Sequence, residues 1–235
     1  MKICILGNSH LASLKQGWDQ MQPVPDVSVQ FFGSRQRGLQ ALDRVGTELR
    51  PRHAALARDL TFTSGGLDRI DLQNYDVFVL YGLMLGLPGL QQGWSAAVKQ
   101  QACQDTLGRS LAGELLRKIR AASDRPIYLG HNPRPARRNQ QALPAGSLNY
   151  PQVFELMRRE VHALGATLLP QPEQTLEDNR WFTRSSYSTG SVRLDVGDRI
   201  SAERHPDDDL EHMNADFGRL YMTRFLSDLR QPGQG

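Results

Sequence analysis

The spacing of apolar residues changes period repeatedly along the chain. Residues 2–6 (KICIL) form a β-prone run, and Leu11, Leu14, Trp18 and Met21 then recur at helical spacing. Residues 27–32 repeat the strand pattern and close on Gly33-Ser34. Residues 35–60 read as helical, interrupted at Pro51. DVFVLY at 76–81 is a third strand, rich in valine and aromatics and stopped by Gly82. One helix carrying Leu107, Leu111, Leu115 and Ile119 leads to a fourth strand in DRPIYLGHNPRP, which breaks at Gly130. Pro151 opens a helix with Val153, Met157, Val161 and Leu164 on one side and Gly165 as its C-cap. Residues 166–169 make a fifth short strand, and 170–206 are irregular over a length that suggests a functional loop. Asn214 caps a closing helix that carries Phe217, Leu220, Tyr221 and Phe225.

Apolar strands alternating with amphipathic helices predict a three-layer α/β/α domain spanning 1–235, with a central parallel sheet of about five strands. In such sheets ligands bind beyond the carboxyl ends of the strands. Ser9, Gly33, Gly82 and Asn132 each follow a predicted strand, so the topology collects them at one edge.

Composition narrows the function classes. The chain has 235 residues and two cysteines, Cys4 and Cys103, too few for a disulfide framework. Its mean hydropathy of −0.48 suits a wet surface. No segment approaches the roughly 18 apolar residues of a membrane helix, and the opening run is too short for a secretory leader. A cytoplasmic protein without a membrane partner is expected. The net charge is +3, with Arg35, Arg37, Arg44, Arg50, Arg52 and Arg58 in one segment and Arg134, Arg137 and Arg138 in another. No aromatic residue interleaves the first group, which argues against nucleic acid as partner. Solvated helix faces and attraction of an anionic small molecule are the two readings that remain.

Ser9 lies in GNSH, between a strand and a helix, where backbone amides and the helix dipole can stabilise an anion. Its hydroxyl needs a base, and DDDLEHMNADFG supplies His212 with Asp209 three residues before it. A short turn between them lets the carboxylate reach Nδ1 and leaves Nε2 for the serine.

GNSH after the first strand, paired with DLEHMN before the last helix, resembles the SGNH/GDSL hydrolase superfamily. The GNSH form is similar to the GDSH variants among carbohydrate O-acetyltransferase and esterase domains. The resemblance implies an SGNH-type, flavodoxin-like fold with Ser9 as nucleophile, Asp209 as orienting acid and His212 as general base. It implies oxyanion donors at the Ser9 amide and at Gly33. The third donor of the family, an asparagine in a G-x-N-D-like motif, is missing: Gly82, Leu83 and Met84 stand there. Asn132, after the fourth strand, is the replacement this chain offers. Asn8 stands where the family has Asp, and bracing the turn is its expected role.

His10 and His131 flank the expected pocket and are candidates for substrate contact. In NRWFTRSSYSTGSVRL, Trp181, Phe182 and Tyr187 beside Arg180 and Arg184 form either a substrate wall or a set of pins for the loop. His205, Asp207, Asp209 and His212 would also make metal ligands, but their spacing matches no familiar zinc arrangement. No metal or cofactor is therefore expected. The function these readings favour is a serine-dependent ester hydrolase or O-acyltransferase on a carbohydrate-type or other small, anionic acyl ester. The alternative is a glycan- or nucleotide-binding protein that keeps the fold without the chemistry. Phosphate-ester chemistry in an arginine-lined pocket is a third reading.

Overall fold

The computed structural model describes residues 1–136, 144–177, 181–199 and 203–230; Arg137, Arg138 and Arg180 lie outside them. In chain order the elements are β1 (Lys2–Gly7), α1 (Leu11–Asp19), β2 (Ser28–Gly33), β3 (Leu42–Val45), β4 (Glu48–Pro51), α2 (Ala54–Ser64) and β5 (Ile70–Asp71). There follow β6 (Val77–Tyr81), α3 (Ala96–Arg109), α4 (Leu111–Arg120), β7 (Ile127–Gly130), α5 (Tyr150–Ala163), β8 (Thr167–Leu169) and α6 (Ala215–Arg230).

Among the described residues, five strands build a parallel sheet in the order β2-β1-β6-β7-β8. The strands alternate their side chains between two cores, as a pleated strand buried on both faces requires. Ile3, Ile5, Phe31, Val77, Val79 and Tyr81 face α1 and α6. Cys4, Leu6, Phe32, Phe78, Leu80 and Leu129 face the layer of α2 to α5. Gly7 is in register with Gly33 and Tyr81, and Tyr81 with Gly130. Four strand ends thus finish level, and the segments leaving them share one edge. The three-layer parallel architecture expected from the sequence is what forms.

Two expected helices divide. Residues 35–60 contain no long helix; a short 3-10 turn, Gly38–Ala41, is followed by the antiparallel pair β3 and β4, which β5 extends. Gly46, at φ +61°, makes the hairpin turn, and Leu42 and Leu49 alone of the pair turn inward. α2 starts only after His53, whose Nδ1 accepts the Leu56 N–H. The arginines here lie along this hairpin and α2: Arg50 pairs with Glu48, Arg52 with Asp43 and Arg58 with Asp198. The helix expected through Leu107 and Ile119 is broken at Ser110, which ends α3 and caps α4 by accepting the Gly113 N–H. Met21 and Leu164 fall just beyond the helices assigned to them. Among the described residues no helix is long and apolar enough to cross a membrane.

One contact sets the geometry of the site. α1 and α6 cross at Gly17 and Gly218 so closely that a Cβ on Gly218 would fall 1.8 Å from Ser13 O. One on Gly17 would fall 2.2 Å from Arg219 N. The crossing lies within about two turns of both helix starts, so the chain leading into each helix is delivered to the same place. Gly218→Ala should therefore cost about 1–3 kcal/mol or more, because backbone and not a side-chain tip must yield. Urea denaturation measures it; the unfolding midpoint is expected to fall well below that of the surface control Thr223→Ala.

Candidate active site

The chain leaves β1 through Asn8 and Ser9 and enters α1 at once. Leu11 N–H donates to the Asn8 carbonyl, and His10 N–H donates to Asn8 Oδ1. Asn8 is buried and braces the turn, as expected. Ser9 N–H makes no such bond among the described residues, and it lies at the start of α1, where a helix favours negative charge.

The other half comes from the segment before α6. Asp209 Oδ1 accepts the N–H groups of Glu211 and His212, both at 2.9 Å. This Asx-type turn is the physical content of the D-x-x-H spacing, because it folds the carboxylate back onto the imidazole three residues on. His212 Nδ1–H donates to Asp209 Oδ2 at 2.8 Å, and Ser9 Oγ–H donates to His212 Nε2 at 2.9 Å. Residues 203 positions apart thus form one chain of hydrogen bonds. Burial pushes the Asp209 pKa up, but the His212 N–H, the imidazole and the Glu211 N–H outweigh it and hold the carboxyl at about 2.

His212 is stacked on both faces. His10 lies 5.0 Å away, ring centre to centre, tilted 28°. His205 lies 3.9 Å away and nearly parallel, at 8°, with Nδ1 3.0 Å from Asp209 Oδ2. Burial, then repulsion by His212, lowers the pKa of His10 to about 3, so its ring is neutral near pH 7. Burial and the His212 charge also lower that of His205. His205, Asp209 and His212 are the one three-residue cluster of metal-type donors among the described residues, their ligand atoms within 4.8 Å of one another; Asp207 is not part of it. Both Nδ1 atoms approach the same carboxylate oxygen, so the two rings share one acceptor.

The expected oxyanion donors are placed less simply. Gly33 ends β2 beside β1, but its N–H donates to Thr63 Oγ1 at 2.9 Å. An oxyanion must displace that hydroxyl to use it. Gly82 packs against the serine turn: a Cβ there would fall 2.8 Å from Asn8 Oδ1 and 3.1 Å from the His10 ring. Gly82, Leu83 and Met84 are consecutive left-handed residues, with φ of +71°, +51° and +60°. Met84 is exposed and its sulfur accepts from Arg37 Nη1 at 3.2 Å. Asn132 stands two strands from β1, roughly 10 Å at the backbone by strand spacing. Its N–H donates to the Leu85 carbonyl, and its side-chain oxygen is buried without a partner among the described residues.

His131 lies in the interior. Its Nδ1–H donates to the Asn132 carbonyl, and Tyr150 Oη–H donates to its Nε2. Burial first, with Arg134 adding to it, lowers its pKa to about 4 against the pull of the Asn132 carbonyl. This ring positions Asn132 and leaves no nitrogen for substrate. Trp181 and Phe182 are also buried, so they pin the long loop; Arg134 stacks on Trp181, and Tyr187 packs on Phe217. Trp94 stays exposed. A groove of about 250 Å³ shares Leu11, Thr63 and Leu194 with the walls of Gly33, but Ser9, Asp209 and His212 do not line it.

No protein-family model matches the chain, nor does any curated protein with significance. Its fold is similar to two solved bacterial proteins. A candidate arylesterase from Agrobacterium tumefaciens str. C58 is 12% identical over 97% of this chain and 98% of its own, with a TM-score of 0.43. A carbohydrate acetylesterase family member from Sinorhizobium meliloti is 13% identical over 98% of each chain, with a TM-score of 0.40. At that distance, residue roles rest on the geometry of this site alone.

The two buried neutral imidazoles make stability depend on pH. Folded His10 and His131 have pKa values of about 3 and about 4, against 6.5 for an ordinary histidine. Below 6.5 the unfolded chain binds protons that the fold excludes, so stability falls from there down to those values. The Asp209 contribution is lost further down, as pH falls from 3.8 through about 2. Urea unfolding between pH 7 and 4 should show a proton uptake of up to about two, and His10→Gln should reduce it by about one.

Proposed function

We propose that this chain is a serine esterase working through an acyl-enzyme. The observation that carries the reading is the 2.9 Å bond from Ser9 to His212, continued at 2.8 Å to Asp209. In the first half-reaction His212 Nε2 takes the Ser9 proton as Oγ bonds to the ester carbonyl carbon. The carbonyl π-pair moves onto oxygen, facing the Ser9 N–H and, once Thr63 gives way, the Gly33 N–H. Collapse breaks the bond to the leaving oxygen, which receives the proton from His212. Water then repeats the sequence, releasing the acid and free serine. If a sugar hydroxyl takes the place of water, the same site transfers the acyl group. Asp209 stays ionised throughout and stabilises the imidazolium.

Arg35 and Arg193 act electrostatically on His205, the latter while paired with Glu203, so Arg35 brings positive charge to the stack. That supports a small anionic ester, of which an O-acylated carbohydrate is the favoured class. A second reading, a binding protein without turnover, is favoured by the occupied Gly33 amide and by Met84 where the family carries asparagine.

A fluorophosphonate probe separates the two. Wild type is expected to be labelled, Ser9→Ala and His212→Ala to lose labelling, and Asp209→Asn to slow it by roughly 10²–10⁴-fold. Folded wild type that resists the probe selects the binding reading. Met84→Asn places an amide donor beside the nucleophile strand and suits a left-handed φ better than methionine. Hydrolysis of p-nitrophenyl acetate should rise by about tenfold or more, and the melting temperature should not fall.

A further inference from the structure

The esterase chemistry assigns work to Ser9, His212 and Asp209 but none to the second imidazole on the same carboxylate. We infer that His205 is a positioning residue that shares Asp209 with His212, so that the two imidazoles take up protons as a coupled pair. His205 Nδ1 stands 3.0 Å from Asp209 Oδ2, and His212 Nδ1 stands 2.8 Å from that same atom. The rings lie 3.9 Å apart face to face, so two imidazolium charges cannot be held there without strong repulsion.

The placement of His205 is built. His205 N–H donates to the Ser191 carbonyl, and Arg193 N–H donates to the Glu203 carbonyl, a ladder continued by the bridge between Val192 and Arg204. The side chain is 9% exposed, and its Nε2 is buried without a partner among the described residues. Asp209 N–H closes the intervening turn on the Pro206 carbonyl. Among the described residues, the charges that act on His205 are His212 and Asp209 in the stack, with Arg193 and Arg35 beside it. His10, on the opposite face of His212, stays neutral down to about pH 3 and takes no part in the working range.

The consequence is a specific pH response. When one imidazole binds a proton, Asp209 compensates it, and the other is held neutral. Protonated His205 occupies the carboxylate and opposes the imidazolium that must form at His212 during attack. Availability of the base is then lost over two steps that belong to the pair.

The test is NMR titration of the His212 ring in the resting protein, which needs no turnover. Wild type is expected to titrate in two steps. His205→Asn, polar but uncharged, and His205→Phe, which keeps a stacked ring, should each give a single step whose midpoint is higher by about half a unit or more. The pH profile of Ser9 labelling should change in parallel. A single-step wild-type curve, or a midpoint unmoved in both variants, overturns the inference. This inference rests on the esterase reading only for its labelling arm. Unlabelled wild type with the two-step titration intact refutes the esterase and leaves the coupled pair standing.

Discussion

The crossing of α1 and α6 is the constraint from which the site follows. Two glycines let the helix backbones meet, Gly17 against the chain at 215–219 and Gly218 against Ser13 and Leu14. Side chains at either position would part the helices by ångströms, and the Ser9–His212 contact tolerates only tenths. The two halves of the site are each held locally, by the Asn8 turn and by the Asp209 turn. The crossing brings them together, and the Ser9–His212 bond and the His10–His212 stack form where they meet. It also explains how Ser9 and His212 meet from opposite ends of the sequence. The first and last helices of the chain pack side by side on one face of the sheet, so their starts become neighbours.

Much of this was legible in the sequence because it is written in short-range chemistry. Strand β1 is an apolar run that ends in glycine and β6 one that a glycine follows, and the D-x-x-H spacing encodes a carboxylate that folds back on its own backbone. What escaped is what depends on partners far away in sequence. The 35–60 segment carries enough leucine and arginine to pass for a helix. Its period is instead set by the Gly46 turn and by docking of Leu42 and Leu49 into the core beneath α2. Ser110 sits within one helical pattern of leucines, but its hydroxyl serves as the cap where one helix ends and the next begins. The sequence places His131 at the flank of the expected pocket. Only the fold reveals Tyr150 beneath it. His205 was visible solely as a metal-type ligand, since nothing in HPDDDLEH announces that two rings stack.

The stack shows how a site can be rigid while its base remains free to gain a proton. Stacking between His10 and His205 fixes the plane of His212, and the Asp209 bond fixes its rotation within that plane. Hydrogen bonds alone would leave the ring free to rock about the axis joining Nδ1 and Nε2. On the His10 side this carries little charge cost because that ring stays neutral, whereas a lysine or arginine in its place would depress the proton affinity of His212 at every pH. The cost is deferred to acidic conditions, where excluded protons weaken the fold.

The oxyanion side is sparer, and its occupied amide bears on rate in a way that differs from a missing one. In the resting fold Gly33 N–H is satisfied by Thr63 Oγ1, which in turn donates to the Asp59 carbonyl at 2.8 Å. A neutral substrate carbonyl gains little by displacing that hydroxyl, since one neutral acceptor replaces another. A developing oxyanion does gain, because a charge-assisted bond is roughly twice as strong as a neutral one. The exchange therefore favours the transition state over the bound ester, which is the condition for a contact to accelerate a reaction and not merely to tighten binding. Under the proposed chemistry, Thr63 makes the Gly33 amide selective for charge, and the left-handed Met84 turn leaves that selectivity without the third donor that would otherwise share the load.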